Sequence, residues 1–335
     1  MKKRKKDLDL NFVRRQFPVF SNTETRKWAF FENAGGSYVP RDVIYKLNDF
    51  MVKTKVQPYG DFDSSIKAGK AMDFSVNQIA KLINAKPNEI IIGPSTTMNM
   101  YVLSNAIRHW FKRGDEIIVT NQDHEANVGA WRRYAEHGIH VKEWKLNPKT
   151  GELEIHKLKE LITKKTRLVC VTHCSNIVGT INNIKEINEI IHKADAYSVF
   201  DGVSFMPHSI IDVKNLDIDF YAFSLYKTYG PHLGLLYGKR RLLKMTKNQN
   251  HSFLKNDIPY TLNPGGANHE ETAALSGITD YYERIYNYHF GNDKMNLHQK
   301  AKKVFKLFYQ QEEKLSKHVL ECLLAKKDIE FSYRT

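Results

Sequence analysis

Cysteine is scarce: Cys170, Cys174 and Cys322 are the only thiols in 335 residues. So few and so scattered, they exclude a disulfide framework and a four-thiolate zinc site, and they fit a protein of the reducing cytoplasm. Long apolar runs are missing as well, since no stretch approaches the roughly 18 consecutive apolar residues of a membrane span. The basic start, Met1-Lys-Lys-Arg-Lys-Lys-Asp, runs into the mixed Leu8-Asp-Leu-Asn-Phe rather than an apolar segment with a small-residue cleavage site. It does not read as a secretory signal. His124, His137, His140 and His173 lack any ligand spacing such as His-Glu-x-x-His, so no metal is expected. Internal repeats and low-complexity linkers are absent too.

What the chain has in excess is positive charge, a formal +14. Such a balance attracts phosphate backbones without regard to sequence. The lysines are nevertheless spread along the chain, with denser knots only at 2–6, 239–247 and 300–306, and no nucleic-acid module accompanies them. They read as a solvated surface. Hydrophobic residues at 41% and aromatics at 12% exclude disorder, and the length allows one large domain or two moderate ones.

Periodicity gives the organisation. A short helix, a Phe-Pro-Val-Phe turn and a strand ending at Phe30-Phe31 are followed by Asn33-Ala-Gly-Gly-Ser, where paired glycines permit close backbone approach. Helices are expected over 41–52 and 67–83. From there strands and helices alternate: strand 89–92, helix 98–111, strand 116–120, helix 126–137, strand 139–144, helix 154–162, strand 167–172 and helix 184–193. Strands at 197–200, 219–223 and 234–237 complete the pattern. Alternation of this kind argues an α/β domain around a mostly parallel sheet. Beyond Thr279 a Lys- and Glu-rich helix over 299–324 leads to Asp328-Ile-Glu-Phe-Ser-Tyr, which looks like the opening of a strand.

The chemistry-bearing residues fall just past the strands. Asp219-Phe-Tyr-Ala-Phe-Ser-Leu-Tyr-Lys ends an apolar run in Lys227, beside the hydroxyls of Ser224 and Tyr226; Ala196-Tyr-Ser-Val-Phe-Asp delivers Asp201 to another strand end. Taken singly these could be a surface lysine and a capping carboxylate. As a pair they are an amine to hold an aldehyde and a carboxylate to keep a pyridine nitrogen protonated, which is what pyridoxal phosphate chemistry requires. Ile90-Ile-Ile-Gly-Pro-Ser-Thr-Thr opens a helix with Thr96 and Thr97, an anion cradle or, taken alone, ordinary N-capping. His124 follows a strand where an imidazole could stack on an aromatic cofactor or simply occupy a loop. Asn176 sits past the apolar strand that ends in Val171-Thr-His-Cys, where ligand-contacting residues of open α/β sheets gather.

Several separated motifs then occur in one order: Asn33-Ala-Gly-Gly, Ser95-Thr-Thr, His124-Glu-Ala-Asn, His173-Cys-Ser-Asn-Ile-Val-Gly, Asp201-Gly-Val-Ser, Ser224-Leu-Tyr-Lys and Gly230-Pro-His-Leu-Gly. With them the chain resembles the class V aminotransferases of pyridoxal phosphate fold type I, in their cysteine-desulfurase-like branch. The resemblance implies pyridoxal 5′-phosphate as cofactor, an amino-acid substrate, a homodimer, and a large three-layer domain around a mostly parallel mixed sheet. It implies Lys227 as the Schiff-base lysine, Asp201 as the pyridine partner, His124 stacked on the ring, and Asn176 near the ring oxygen. Thr96, Thr97, Ser224 and Tyr226 would hold phosphate. The chain departs from the family at Ser204, where many desulfurases have glutamine, at Tyr226, where they have histidine, and at Ala267, where relatives have threonine. The expected division is a basic helical segment over 1–20, a cofactor-binding domain over 21–280, and over 281–335 the start of a smaller carboxy-terminal domain that is cut short. With that domain would go the substrate arginine and the desulfurase cysteine loop. The rival expectation is therefore a truncated relative that keeps the fold with impaired or no catalysis.

Overall fold

Short aliphatic and aromatic runs, apolar on both faces, build the centre of the molecule. In the computed structural model, which describes residues 7–326 and 328, they form β1 (Ile90–Gly93), β2 (Glu116–Thr120), β3 (His140–Trp144), β4 (Thr166–Thr172), β5 (Tyr197–Asp201), β6 (Phe220–Ser224) and β7 (Gly234–Gly238). A strand such as Glu116-Ile-Ile-Val-Thr is buried along its whole length. It can be satisfied only inside a sheet with helices on both faces.

The strands make one seven-stranded sheet in the order β1-β7-β6-β5-β4-β2-β3. The ladder from β3 through β2, β4 and β5 to β6 is parallel. β7 runs antiparallel to both β6 and β1, because residues 225–233 are too few for the crossover that a parallel return needs. Alternate residues of each strand feed opposite cores. Val169 and Val171 face a core shared with helices Asp63–Leu82, Ile184–Lys193, Ser276–Phe290 and Leu297–Leu324, whereas Leu168 and Cys170 face one beneath helix Thr96–Ile107. The result is the three-layer α/β arrangement expected from the alternating pattern.

Helix Ile184–Lys193 shows how the local sequence specifies its element. Asn183 accepts the Glu186 N–H at its start, and Ile184, Ile187 and Ile191 fall on one buried face. Three expectations need correction or fall elsewhere. No strand ends at Phe30-Phe31: the segment has no neighbouring strand to ladder with, and Trp28 and Phe31 stand 80% and 91% exposed. The helix over 126–137 is broken into 3-10 turns Glu125–Asn127 and Arg133–His137 around a single α-turn, Gly129–Arg132. Val128, with φ −121, and Gly129 interrupt it. The strand opening at 328–333 lies outside the described residues apart from Asp328. Among the described residues no helix is long and apolar enough to cross a membrane.

Candidate functional site

Because β2, β4, β5 and β6 are parallel, their carboxyl ends open on one edge of the sheet, and an open α/β sheet binds ligands there. The pocket at that edge holds about 470 Å³ of non-atom space, part of it open to solvent, and every candidate residue named from the sequence lines it. Asp201 is the last residue of β5, Lys227 closes the 3-10 turn after β6, and His124 and Asn176 follow β2 and β4. On the β1 side, Ser95 caps helix Thr96–Ile107 by accepting the Met98 N–H at 3.1 Å. That leaves Thr97 on the rim while Thr96 bonds Ser224, Oγ1 to Oγ, at 2.8 Å. The two hydroxyl-bearing turns, far apart in sequence, are thereby tied together. Gly234 of β7 lies against the backbone of Ser95 and Thr96 so closely that any side chain would collide with it. Tyr226 packs flat on His232, with ring centroids 4.5 Å apart.

Charge is distributed unevenly across this pocket. Asp201 is buried; its Oδ1 accepts the Val203 N–H at 2.8 Å, while Oδ2 is buried with no hydrogen-bond partner. Burial raises its pKa to about 6, against the pull of the Val203 N–H and of His124 and Lys227. Lys227 is half-buried, and desolvation lowers its pKa despite the opposing charges of Asp201 and Glu32. A lysine so placed spends more of its time as the free amine, the form that attacks a carbonyl. His124 accepts the Ala126 N–H on Nδ1 at 3.1 Å, an arrangement that leaves the ring proton on Nε2.

Comparison with known proteins agrees with this geometry. Residues 29–318 match the aminotransferase class-V family. The chain is 37% identical over 328 residues to the aminotransferase-like protein FGM3 of Gibberella zeae, covering 95% of this chain and 76% of that one. It is 38% identical over 241 residues to the cysteine desulfurase-like protein ustD of Aspergillus flavus, covering 70% of this chain and 54% of that one. The apo structure of cysteine desulfurase from Thermococcus onnurineus NA1 superposes with a TM-score of 0.80 at 25% identity, over 94% of this chain and 76% of that one. The chain belongs to the class-V aminotransferase family.

The family is pyridoxal-phosphate-dependent, and the pocket fits that cofactor on its own chemistry. Buried acceptors are almost always paired, so the orphaned Asp201 Oδ2 asks for a donor from within the pocket, as a protonated pyridine nitrogen would be. The family's fold type I is what the sheet order and the two helical layers build.

The structure also adds residues that sequence reasoning passed over. His173, to which the sequence assigns no role beyond opening a motif, is buried with its ring centroid 3.5 Å from that of Phe205 and Nδ1 2.9 Å from the Tyr221 hydroxyl. Burial lowers its pKa to about 3, so it stays neutral. Tyr221 in turn runs so close under Gly202 that the residue after Asp201 has no room for a side chain. Asn182 Nδ2 donates to Gln122 Oε1 at 2.7 Å and to the Thr172 carbonyl at 2.8 Å, bracing the ends of β2 and β4. Asp123 had a signal in sequence, since it immediately precedes His124. The position of His173 under Phe205 depends on a β4–β5 register that no local pattern reveals.

Proposed function

We propose that this member of the class-V aminotransferase family is an enzyme acting on an amino acid, with pyridoxal 5′-phosphate carried as a Schiff base on Lys227. The observation that carries the reading is the buried, unpartnered Oδ2 of Asp201 in the same pocket as the partly desolvated amine of Lys227. Thr96, Thr97, Ser224 and Tyr226 form the hydroxyl-rich end suited to the phosphate, with the helix N-terminus behind them. His124 supplies an imidazole ring against the cofactor face. Asn176 supplies an amide for its ring oxygen, and Ser204 adds a hydroxyl near Asp201.

The bound cofactor supplies an electron sink for negative charge developing at the substrate's α-carbon. The chain supplies the rest. Asp201 Oδ2 would accept from the protonated ring nitrogen, and Lys227 Nζ would carry the proton at the substrate's α-carbon. Cys174 is the thiol that lines the pocket, and burial pushes its pKa up, so it is poorly prepared to act as a thiolate. Incubating the protein with pyridoxal phosphate and each common L-amino acid in deuterated water tests the reading, with α-deuterium incorporation, keto-acid and sulfide measured together. Exchange with at least one amino acid is expected, and sulfide would select desulfuration as the outcome. Absence of exchange with every amino acid would favour a non-catalytic relative.

A homodimer is part of the same proposal. Trp28, Phe31, Tyr45, Val52, Phe62 and Phe74 are all exposed, large apolar side chains that a second copy could cover. The Pro264-Gly-Gly-Ala-Asn turn also lies on the surface, available to a second copy. Cofactor affinity should fall on dilution through the dimer dissociation range. A monomer by light scattering that keeps full cofactor occupancy would refute the dimer.

A further inference from the structure

Asp123 lies one residue before His124, at the turn that follows β2. Its Oδ2 accepts from Asn127 Nδ2 at 3.1 Å and from Thr120 Oγ1 at 3.4 Å, while Oδ1 is buried and has no partner. Asn127 Oδ1 is a further buried orphan, and Asp201 Oδ2 another. The Thr172 backbone N–H of β4 points at the Asp123 carboxyl and favours its charged form, and Thr172 is the register partner of Asp201. Three buried acceptor atoms, one on each of two neighbouring carboxyl groups and one on Asn127, thus stand at adjacent strand ends with no donor of their own. One way to relieve that arrangement is to leave a proton on one of the acids, which turns an orphaned acceptor into a donor and removes one of two like charges.

The surroundings decide which acid keeps the proton. Asp201 faces the amine of Lys227 and the imidazole of His124. Around Asp123, by contrast, are Asp201 on β5 and the Cys170 thiol on β4, itself pushed toward its neutral form by burial and by Asp123. Only neutral donors, from Asn127, Thr120 and the Thr172 backbone, oppose its ionisation cost; burial first, then the charge of Asp201, raises its pKa well above the ordinary value. Tyr221, the other titratable group on the far side of Asp201, is held neutral by burial.

We propose that Asp123 is a positioning residue that stays a neutral carboxylic acid at physiological pH, so that the floor of the site carries one negative charge, placed on Asp201. The pair then behaves as a two-carboxyl site holding one proton, and the cofactor's ring nitrogen meets a carboxylate whose neighbour does not compete with it for cations. This deepens the reading of Asp201 given above, but the protonation of Asp123 is a property of the protein without cofactor and can be tested without it.

Infrared difference spectroscopy of the cofactor-free protein, at a pH well above that at which Asp201 ionises, should show the C=O stretch of a buried carboxylic acid. Asp123→Asn should remove that band while changing the affinity for pyridoxal phosphate by less than about threefold, since the amide reproduces a neutral, donor-bearing group. The acid limb of cofactor binding should also keep its midpoint in Asp123→Asn. Absence of the band in the wild-type protein overturns the proposal whether or not the variant folds. Persistence of the band in Asp123→Asn overturns it equally, as does a downward shift of the acid limb, which would mean that a charged Asp123 had been repelling Asp201. Failure of the pocket to bind pyridoxal phosphate at all would instead count against the proposed function and leave the infrared result standing.

Discussion

Replacing Lys227 with alanine should abolish covalent cofactor attachment and leave a protein that still binds pyridoxal phosphate reversibly. The hydroxyl end of the pocket and Asp201 do not depend on the lysine, since Thr96 is held by Ser224 and Asp201 by Val203. Chemistry at the α-carbon should suffer far more than binding, because the same amine is the group placed to carry the proton. Loss of positioned proton transfer alone corresponds to about 10²–10⁴-fold in rate, and α-deuterium exchange should fall by at least that much. A small added amine should restore part of it by acting as a diffusible base. Borohydride reduction of the wild-type protein followed by peptide mapping provides the control. Label on Lys227 is expected; label on another lysine, or exchange in the alanine variant at the wild-type rate, sinks the assignment.

The convergence of the candidate residues on one pocket was more legible in sequence than the scaffold around it, for a physical reason. Lys227, Asp201, His124 and Asn176 each end or follow a strand-like run, and a parallel sheet gathers all such ends on one edge. Once the runs are recognised, convergence follows from topology rather than from any contact that must be guessed. The turn at Ser95 reads in sequence as a cap or an anion cradle; in the structure Ser95 caps the helix and Thr97 lines the pocket. What stayed hidden depends on long-range neighbours. The reversal of β7 is set by its partners β1 and β6. The coil at Phe30-Phe31 reflects the lack of an adjacent strand, although the residues themselves favour one. Asp123 and His173 look like loop residues in sequence; only burial, which is a tertiary property, makes their protonation states matter.

Asp201 gives the second large effect, and its sign is fixed by linkage. Its pKa rises from 3.8 to about 6 through burial, so below the lower value the folded and unfolded chains are both protonated and the residue contributes nothing. As pH rises through the window the unfolded chain ionises first. The favourable protonated state of the folded protein is progressively lost, and above about 6 the cofactor-free protein bears the whole penalty, on the order of 3 kcal/mol at 1.36 kcal/mol per unit. A protonated ring nitrogen placed on Oδ2 reverses that term, because the carboxylate then has the partner that burial denied it. The rise in melting temperature on adding pyridoxal phosphate should therefore be small at pH near ~5 and large at pH near ~7, with affinity falling by up to about tenfold per pH unit as the pH drops below about 6. The phosphate's own second ionisation, near ~6, acts in the same range. Asp201→Asn separates the two, since it removes the carboxylate and leaves the phosphate: its acid limb should become shallower, and α-proton exchange should be largely lost while some cofactor is retained. An Asp201→Asn protein with the wild-type pH dependence and wild-type exchange would show that the buried carboxylate is not what holds the ring nitrogen.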